Sequence, residues 1–476
     1  MVFSSTIFLF LYLPITLGGY YLLPKIAKNY WLLIMSLIFF AWQQPSYIWI
    51  ILVSIVVNYT AAVIIERLNK TNARKFWLCV VILINLSILF YYKYLNFSIS
   101  IVNEIIKNPI EVKDIVLPIG ISFFTFQGLS YVIDVYRREV KAQKSISKLA
   151  LYITLFPQLI AGPIVRYQSI ADEIDNRRIS FDEIVEGIKL FILGLTKKVL
   201  IANTLAVVVD SVWNIGPDKQ SISIAWIASI AYTLQIYFDF SGYSDMAIGL
   251  GQMLGFHFDK NFNLPYISNN ITEFWRRWHI SLSSWFRDYV YIPLGGNRKR
   301  VYLNLLIVFV LTGVWHGASW NFIIWGCWNA FFILVERFVK TNRKTKDNLV
   351  GTRKNQFEIC LKKIYTLLVV NIGWVLFRAP NLTDALNFIK VLFGMGDGSK
   401  VGFTVWWYLD RWTLLMLAIG ILFSTSLPDK LGAIIKNKLD QEMLTIAENV
   451  ALLFLFILSI IRVVSGTYNP FIYFQF

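Results

Sequence analysis

Charge is scarce in this 476-residue chain. Asp, Glu, Lys and Arg make up 16% of it, against about 25% in an ordinary soluble domain. Cysteine is scarcer still. Cys79, Cys327 and Cys360 lie far apart and mostly inside apolar stretches; with neither metal-ligand nor disulfide spacing, they are expected to be buried small hydrophobes. No metal site is expected. Internal repeats, low-complexity tracts and Pro/Ser linkers are absent, so a single membrane domain over 1–476, with its motif-bearing core at about 110–390, is the economical reading. The first apolar stretch has no basic segment before it and no Ala-x-Ala-like site after it, which marks a retained helix and not a cleaved signal. Also missing are His-Glu-x-x-His, Gly-x-Ser-x-Gly and a Walker lysine.

What the chain has in quantity is apolar sequence: 57% hydrophobic, 16% aromatic, with a mean hydropathy of +0.57. Windows apolar enough for membrane helices occur near 3–22, 30–42, 47–65, 76–92, 190–213, 222–238, 301–315, 320–335, 361–377, 411–426 and 447–463. Two shorter ones, near 118–134 and 149–165, are interrupted by Pro and Gly. A spanning helix needs about 20 such residues, so the spacing predicts an all-α polytopic bundle of about eleven helices, with one or two re-entrant pieces and amphipathic helices. The net charge of +16 would fit a nucleic-acid binder, but its placement does not. Basic loops (Lys25/Lys28, Arg67 to Lys75, Arg137 to Lys144, Asn297 to Arg300, Lys340 to Lys346) alternate with a neutral turn at 43–46. That is the positive-inside pattern, with the N-terminus outside and 66–75 in the cytoplasm. Two polar stretches, 166–189 and 339–357, separate the helices, and Ser180 with Glu183 has the form of a capping box.

The stretch 235–330 is different. It holds all three histidines, His257, His279 and His316, and is dense in Trp, Gly, Asp and Arg. Ionisable groups at membrane depth face a bundle interior or a cavity and are functional candidates by default. Residues 270–289 read as one amphipathic helix capped by Asn270 and Glu273, with an apolar stripe of Phe274, Trp278, Leu282, Trp285 and Tyr289. His279 is then turned into protein, as a site residue or as a hydrogen-bonded core histidine. Val301 to Lys340 is basic at both ends and reads as a hairpin with both ends cytoplasmic. His316 lies about 15 residues in, on the order of 22 Å of helix, inside a hydrocarbon core about 30 Å thick. Gly317 and Ala318 beside it leave room for a substrate or another backbone. On the preceding span Gln235, Asp239 and Gly242 share a face, and Asp239 and Asp245 either orient a histidine, pair with Arg276, Arg277 or Arg287, or form structural ion pairs within the bundle. The Pro/Gly breaks at 117–124 and 156–163 fit an acyl or substrate tunnel and fit a transporter's discontinuous helices equally. Histidine's ordinary pKa of about 6.5 suits a general base that activates a hydroxyl, and acyl transfer from an already activated thioester asks for little else.

The block Trp275-Arg276-Arg277-Trp278-His279-Ile280-Ser281-Leu282-Ser283, continuing through Trp285-Phe286-Arg287-Asp288-Tyr289, with Trp315-His316-Gly317, Phe156 to Pro163 and Asp239 to Asp245, resembles the membrane-bound O-acyltransferase (MBOAT) family. The likeness is to the bacterial branch holding alginate O-acetylase and the D-alanyl transfer protein of teichoic-acid modification, and Asn371 to Ala379 resembles the alginate-acetylase side. The resemblance implies a funnel-forming bundle with His316 as catalytic histidine and His279 as second motif histidine. Trp315, Asp239, Asp245, Arg276, Arg277, Asp288 and Asn321 are expected to support them or line the substrate path. It further implies no bound cofactor, acetyl-CoA or another acyl thioester as donor, an exported polysaccharide as acceptor, a separate extracytoplasmic SGNH-type acetyltransferase as partner, and a bacterial plasma membrane location. D-alanyl transfer and a non-catalytic transporter or flippase are the alternatives; the latter would call for inverted repeats.

Overall fold

The computed structural model describes residues 1–42, 44–344, 356–396, 402–438, 440–466 and 468–472. Of the polar stretch 339–357, residues 345–355 lie outside the described residues. Among the described residues every regular element is helical. The helices used below are α1 (Phe8–Leu22), α2 (Lys25–Ala41), α3 (Ile48–Arg67), α4 (Thr71–Asn103), α5 (Ile121–Arg137), α6 (Ile146–Thr154), α7 (Tyr167–Asn176), α8 (Phe181–Asn214), α9 (Ile222–Met253), α10 (Ile271–Arg277), α11 (Ile280–Phe286), α12 (Val301–His316), α13 (Trp320–Lys344), α14 (Gln356–Arg378), α15 (Leu382–Leu392), α16 (Arg411–Phe423), α17 (Leu427–Lys436) and α18 (Gln441–Ser465).

Each of the eleven apolar windows falls on a helix. Seven of these helices are long and apolar enough to cross a membrane, or eight if α16 and α17, bent by 76° at their junction, form one span. The windows at 3–22 and 301–315 give shorter apolar helices, α1 and α12. The protein is a multi-pass membrane helical bundle. Its outer faces are apolar: on α18, Val450, Leu453, Phe454 and Ile461 are all more than half exposed, as helices facing lipid tails should be. The cysteines belong to such faces, contrary to the expectation of burial. Cys79, Cys327 and Cys360 are all exposed, on α4, α13 and α14, because lipid accepts a small apolar side chain as readily as a protein core does.

The chain divides into two compact units, Met1–Leu195 with Tyr243–Lys260, and Thr196–Gly242 with Asn261–Phe476. In the first, α5 is buried along nearly its whole length. It starts where Gly120 turns the chain at φ 74°, with Leu159 O 2.6 Å from where a Cβ would stand. Asn58 of α3 and Asn85 of α4 exchange amide hydrogen bonds at 3.2 Å, which satisfies two polar groups that would be costly alone in an apolar interior. The segment 149–165 is broken between α6 and a single turn at Phe156–Leu159, and is buried throughout. The capping box forms as read: Ser180 N–H donates to Glu183 at 2.8 Å and Glu183 N–H to Ser180 Oγ at 3.2 Å.

In the second unit, Lys198 lies in a π-helical stretch of α8 and meets Asp239 of α9 at 2.6 Å, both side chains 2% exposed. The segment 468–472 runs along this pair. Lys198 donates to Pro470 O, Ile472 N–H to Asp239 Oδ2 at 2.9 Å, Asn203 to Asn469 at 3.0 Å, and Tyr468 OH to Asp210, which Arg378 also meets at 2.5 Å.

Candidate active site

His316 is the last residue of α12. Glycine sets how closely α12 and α13 pack. A Cβ on Gly313 would stand 2.3 Å from Phe322 O, and one on Gly326 2.4 Å from Phe309 O. The room beside His316 is taken by protein: the Phe322 ring lies 2.2 Å from where a Cβ on Gly317 would be. The imidazole, with its residue 5% exposed, stands in a box of rings nearly perpendicular to it, Trp315 at 4.8 Å, Trp325 of α13 at 5.1 Å and Phe377 of α14 at 5.0 Å between centroids. Such a surround excludes water and strengthens any hydrogen bond the imidazole makes. Asn321, in the first turn of α13, ties this end of the hairpin to α14 through its amide, which donates to Ala379 O at 2.6 Å.

The second histidine arrives differently. The single helix expected over 270–289 is two, with Trp278 extended and His279 left-handed (φ 42°, ψ 56°) between α10 and α11. A non-glycine residue in that conformation costs about 1–2 kcal/mol and persists where the surroundings over-determine it. They do so here. Asn261 O accepts from Ile280 N–H at 2.9 Å, and Arg277 O from Asn263 N–H at 2.9 Å. The side chain of Asn261 meets His279 Nδ1 at 3.1 Å. The N-cap is as expected, Asn270 Oδ1 accepting from Glu273 N–H at 2.8 Å. Glu336 of α13 adds a second cap, receiving Ile271 N–H at 2.7 Å and Thr272 N–H at 3.2 Å. The expected stripe is inward: Phe274, Trp278, Leu282 and Trp285 are buried. His279 itself is fully buried, with the Phe240 ring at 4.6 Å and the Trp315 ring at 6.1 Å. It lies outside the long apolar helices, and burial pushes its imidazole down to about 3, so the ring is neutral.

Trp315 therefore has both imidazoles as neighbours, and of the predicted supporting residues it alone has a ring contact with each. The others, Asp245 apart, are held elsewhere in the same unit. Asp239 is engaged by Lys198 and the 468–472 segment. Arg277 pairs with Glu273 at 3.0 Å and donates to Asn263 O at 3.1 Å, Arg276 is exposed, and Asp288 pairs with its neighbour Arg287 at 2.6 Å. Asp245, half-buried, belongs to the first unit. So does His257, whose Nδ1 lies 2.8 Å from Glu173 and Nε2 3.4 Å from Glu183. Residues the sequence reading missed are Asn261, Trp325 and Phe377 around the histidines, and Lys198 beside Asp239. The apolar ones read as ordinary span residues, and Asn261 belongs to no motif.

Two buried imidazoles in ring contact with one indole are an arrangement that can accept a proton from a hydroxyl and shield the reaction from water. Residues 37–349 match the MBOAT, membrane-bound O-acyltransferase family. The chain is 38% identical to the probable alginate O-acetylase AlgI of Azotobacter vinelandii across the full length of both. It is 37% identical to the peptidoglycan O-acetyltransferase of Helicobacter pylori over 84% of this chain and 81% of that one. To the teichoic acid D-alanyltransferase of Bacillus subtilis it is 30% identical over 54% of this chain and 68% of that one. The chain is an O-acyltransferase and belongs to the membrane-bound O-acyltransferase (MBOAT) family.

Proposed function

We propose that the protein moves an acetyl group from a cytoplasmic thioester, acetyl-CoA or a relative of it, across the bacterial plasma membrane for O-acetylation of an exported polysaccharide, with His316 as the general base. The observation that carries the reading is His316 at the buried end of α12, boxed by Trp315, Trp325 and Phe377 in a chain of this family. A hydroxyl gives its proton to the imidazole as its oxygen attacks the thioester carbonyl. The tetrahedral centre collapses, the C–S bond breaks, and the departing thiolate takes the proton back from the imidazolium. His279 helps to orient the reacting groups. Acetyl is favoured over D-alanyl because relatives named as O-acetylases or O-acetyltransferases match 83–100% of this chain, and those named as D-alanyltransferases match 54%. The acceptor hydroxyl belongs to the polymer or to an extracytoplasmic SGNH-type partner that completes delivery. Alkali-releasable acetate on the cell-surface polymer, measured in cells carrying His316→Ala, tests this. Loss of the acetate with normal membrane insertion is expected; an unchanged acetate content would refute the assignment, and ester-linked D-alanine in its place would favour the other acyl group.

A further inference from the structure

We infer that Asn261 is a positioning residue, whose side-chain carbonyl selects the Nδ1–H form of His279 and directs the Nε2 lone pair towards the reacting groups. The inference rests on the reading of His279 as part of the transfer machinery.

The backbone N–H of Ser281 points at the Asn261 amide, 3.1 Å from Oδ1, and the Ser281 hydroxyl lies 2.9 Å from the same atom. An N–H can only donate, so the amide atom facing it is the oxygen and not the NH2. That oxygen in turn can only accept. His279 Nδ1, 3.1 Å from it, must therefore carry a hydrogen. In a neutral imidazole one nitrogen donates and the other accepts, so Nε2 holds the lone pair. The backbone contact from Ile280 N–H to Asn261 O at 2.9 Å holds the same two segments together, so the orientation of the amide does not depend on one contact.

Three further features fit positioning better than simple packing. Asn261 is 1% exposed and His279 fully buried, which keeps bulk water from competing for the contact between them. His279 is held in a strained left-handed conformation, which a purely structural histidine would not need. Phe240 and Trp315, from α9 and α12, cover the ring and limit its rotation.

The test is acyl-transfer kinetics in the full-length protein, reconstituted in vesicles, with an acetyl thioester as donor. His279→Ala comes first and is expected to lose transfer by about 100-fold or more; full activity would overturn the reading of His279 itself, and this inference with it. Asn261→Leu keeps the size and removes the acceptor. It should lower kcat by about 10–100-fold, as loss of an imidazole's orienting partner does elsewhere, with KM for the donor unchanged. Asn261→Asp keeps the acceptor and adds a negative charge that favours the imidazolium. It should retain most of the transfer at high pH, with the acid limb of the pH–rate profile moved upward, a change that a packing role would not produce. If His279→Ala is inactive while Asn261→Leu works at the natural rate, or the Asn261→Asp acid limb stays in place, the positioning role is wrong. Should Asn261→Leu fail to fold, Asn261→Asp alone decides.

Discussion

Single side chains differ here by surroundings more than by type, and the three histidines show it. His316 and His279 are buried among rings, while the His257 side chain is 52% exposed between Glu173 and Glu183. The hydrogen bond to Glu173 raises the His257 imidazole above its ordinary value; burial opposes this and the two carboxylate charges add to it. A group raised on folding contributes stability that is full below its unfolded value of about 6.5 and is lost as pH rises through the higher folded value. His257→Gln should therefore lower the melting temperature at pH 5.5 and have little effect at pH 8.5, a difference that thermal melting in detergent would read; an equal effect at both would contradict the pairing. With half the ring in solvent the effect is small. The sequence placed all three histidines in one stretch rich in costly residue types, and that concentration was the legible signal. What separated them was not legible, because Glu173 lies 84 residues from His257 in the chain and no local pattern announces it.

Helices whose ends are set by neighbouring residues were readable, and those set by distant ones were not. The Ser180/Glu183 and Asn270/Glu273 caps are contacts across three positions, and both form as expected. The break before α11 depends on Asn261, 18 residues upstream of His279, so the 3.6-residue period ran on through it. Asn270→Ala should cost about 1 kcal/mol, the usual value of an N-cap, and circular dichroism melts would register it. The α12–α13 hairpin is more demanding. Gly326→Val forces a side chain where the Phe309 carbonyl already lies 2.4 Å from the Cβ position. Overpacking of that kind costs about 1–3 kcal/mol, and because the same contact sets the end of α12 it should also displace His316. Transfer activity is thus expected to fall further than the yield of folded protein does; equal falls in both would mean that the hairpin only supports the fold.

At the scale of the whole molecule, hydropathy located every apolar helix, but four of its eleven windows gave short ones, α1, α2, α12 and α16, and fewer helices are long enough to cross a membrane unaided. Length is fixed by capping and by breaks such as the 76° bend after α16, and the apolar windows carry no sign of either. The Lys198–Asp239 pair was invisible for a similar reason: a lysine in an apolar span gives no hint of its partner on another helix. Removing one member, as in Lys198→Met, should destabilise by about 3–5 kcal/mol, whereas Lys198→Met with Asp239→Leu should recover much of the loss; thermal melting of the three proteins compares them. All of this scaffold matters to function only if it serves the imidazole at the end of α12. The most direct measurement is acetyl transfer by the purified protein in vesicles, from a labelled acetyl thioester supplied on one face to an acceptor recovered on the other, with His316→Ala beside the natural protein. Transfer slowed at least about 100-fold in the variant, the lower bound for loss of a general base, with melting temperature unchanged, is the result expected. Equal rates in the two proteins would show that the reaction does not run through His316.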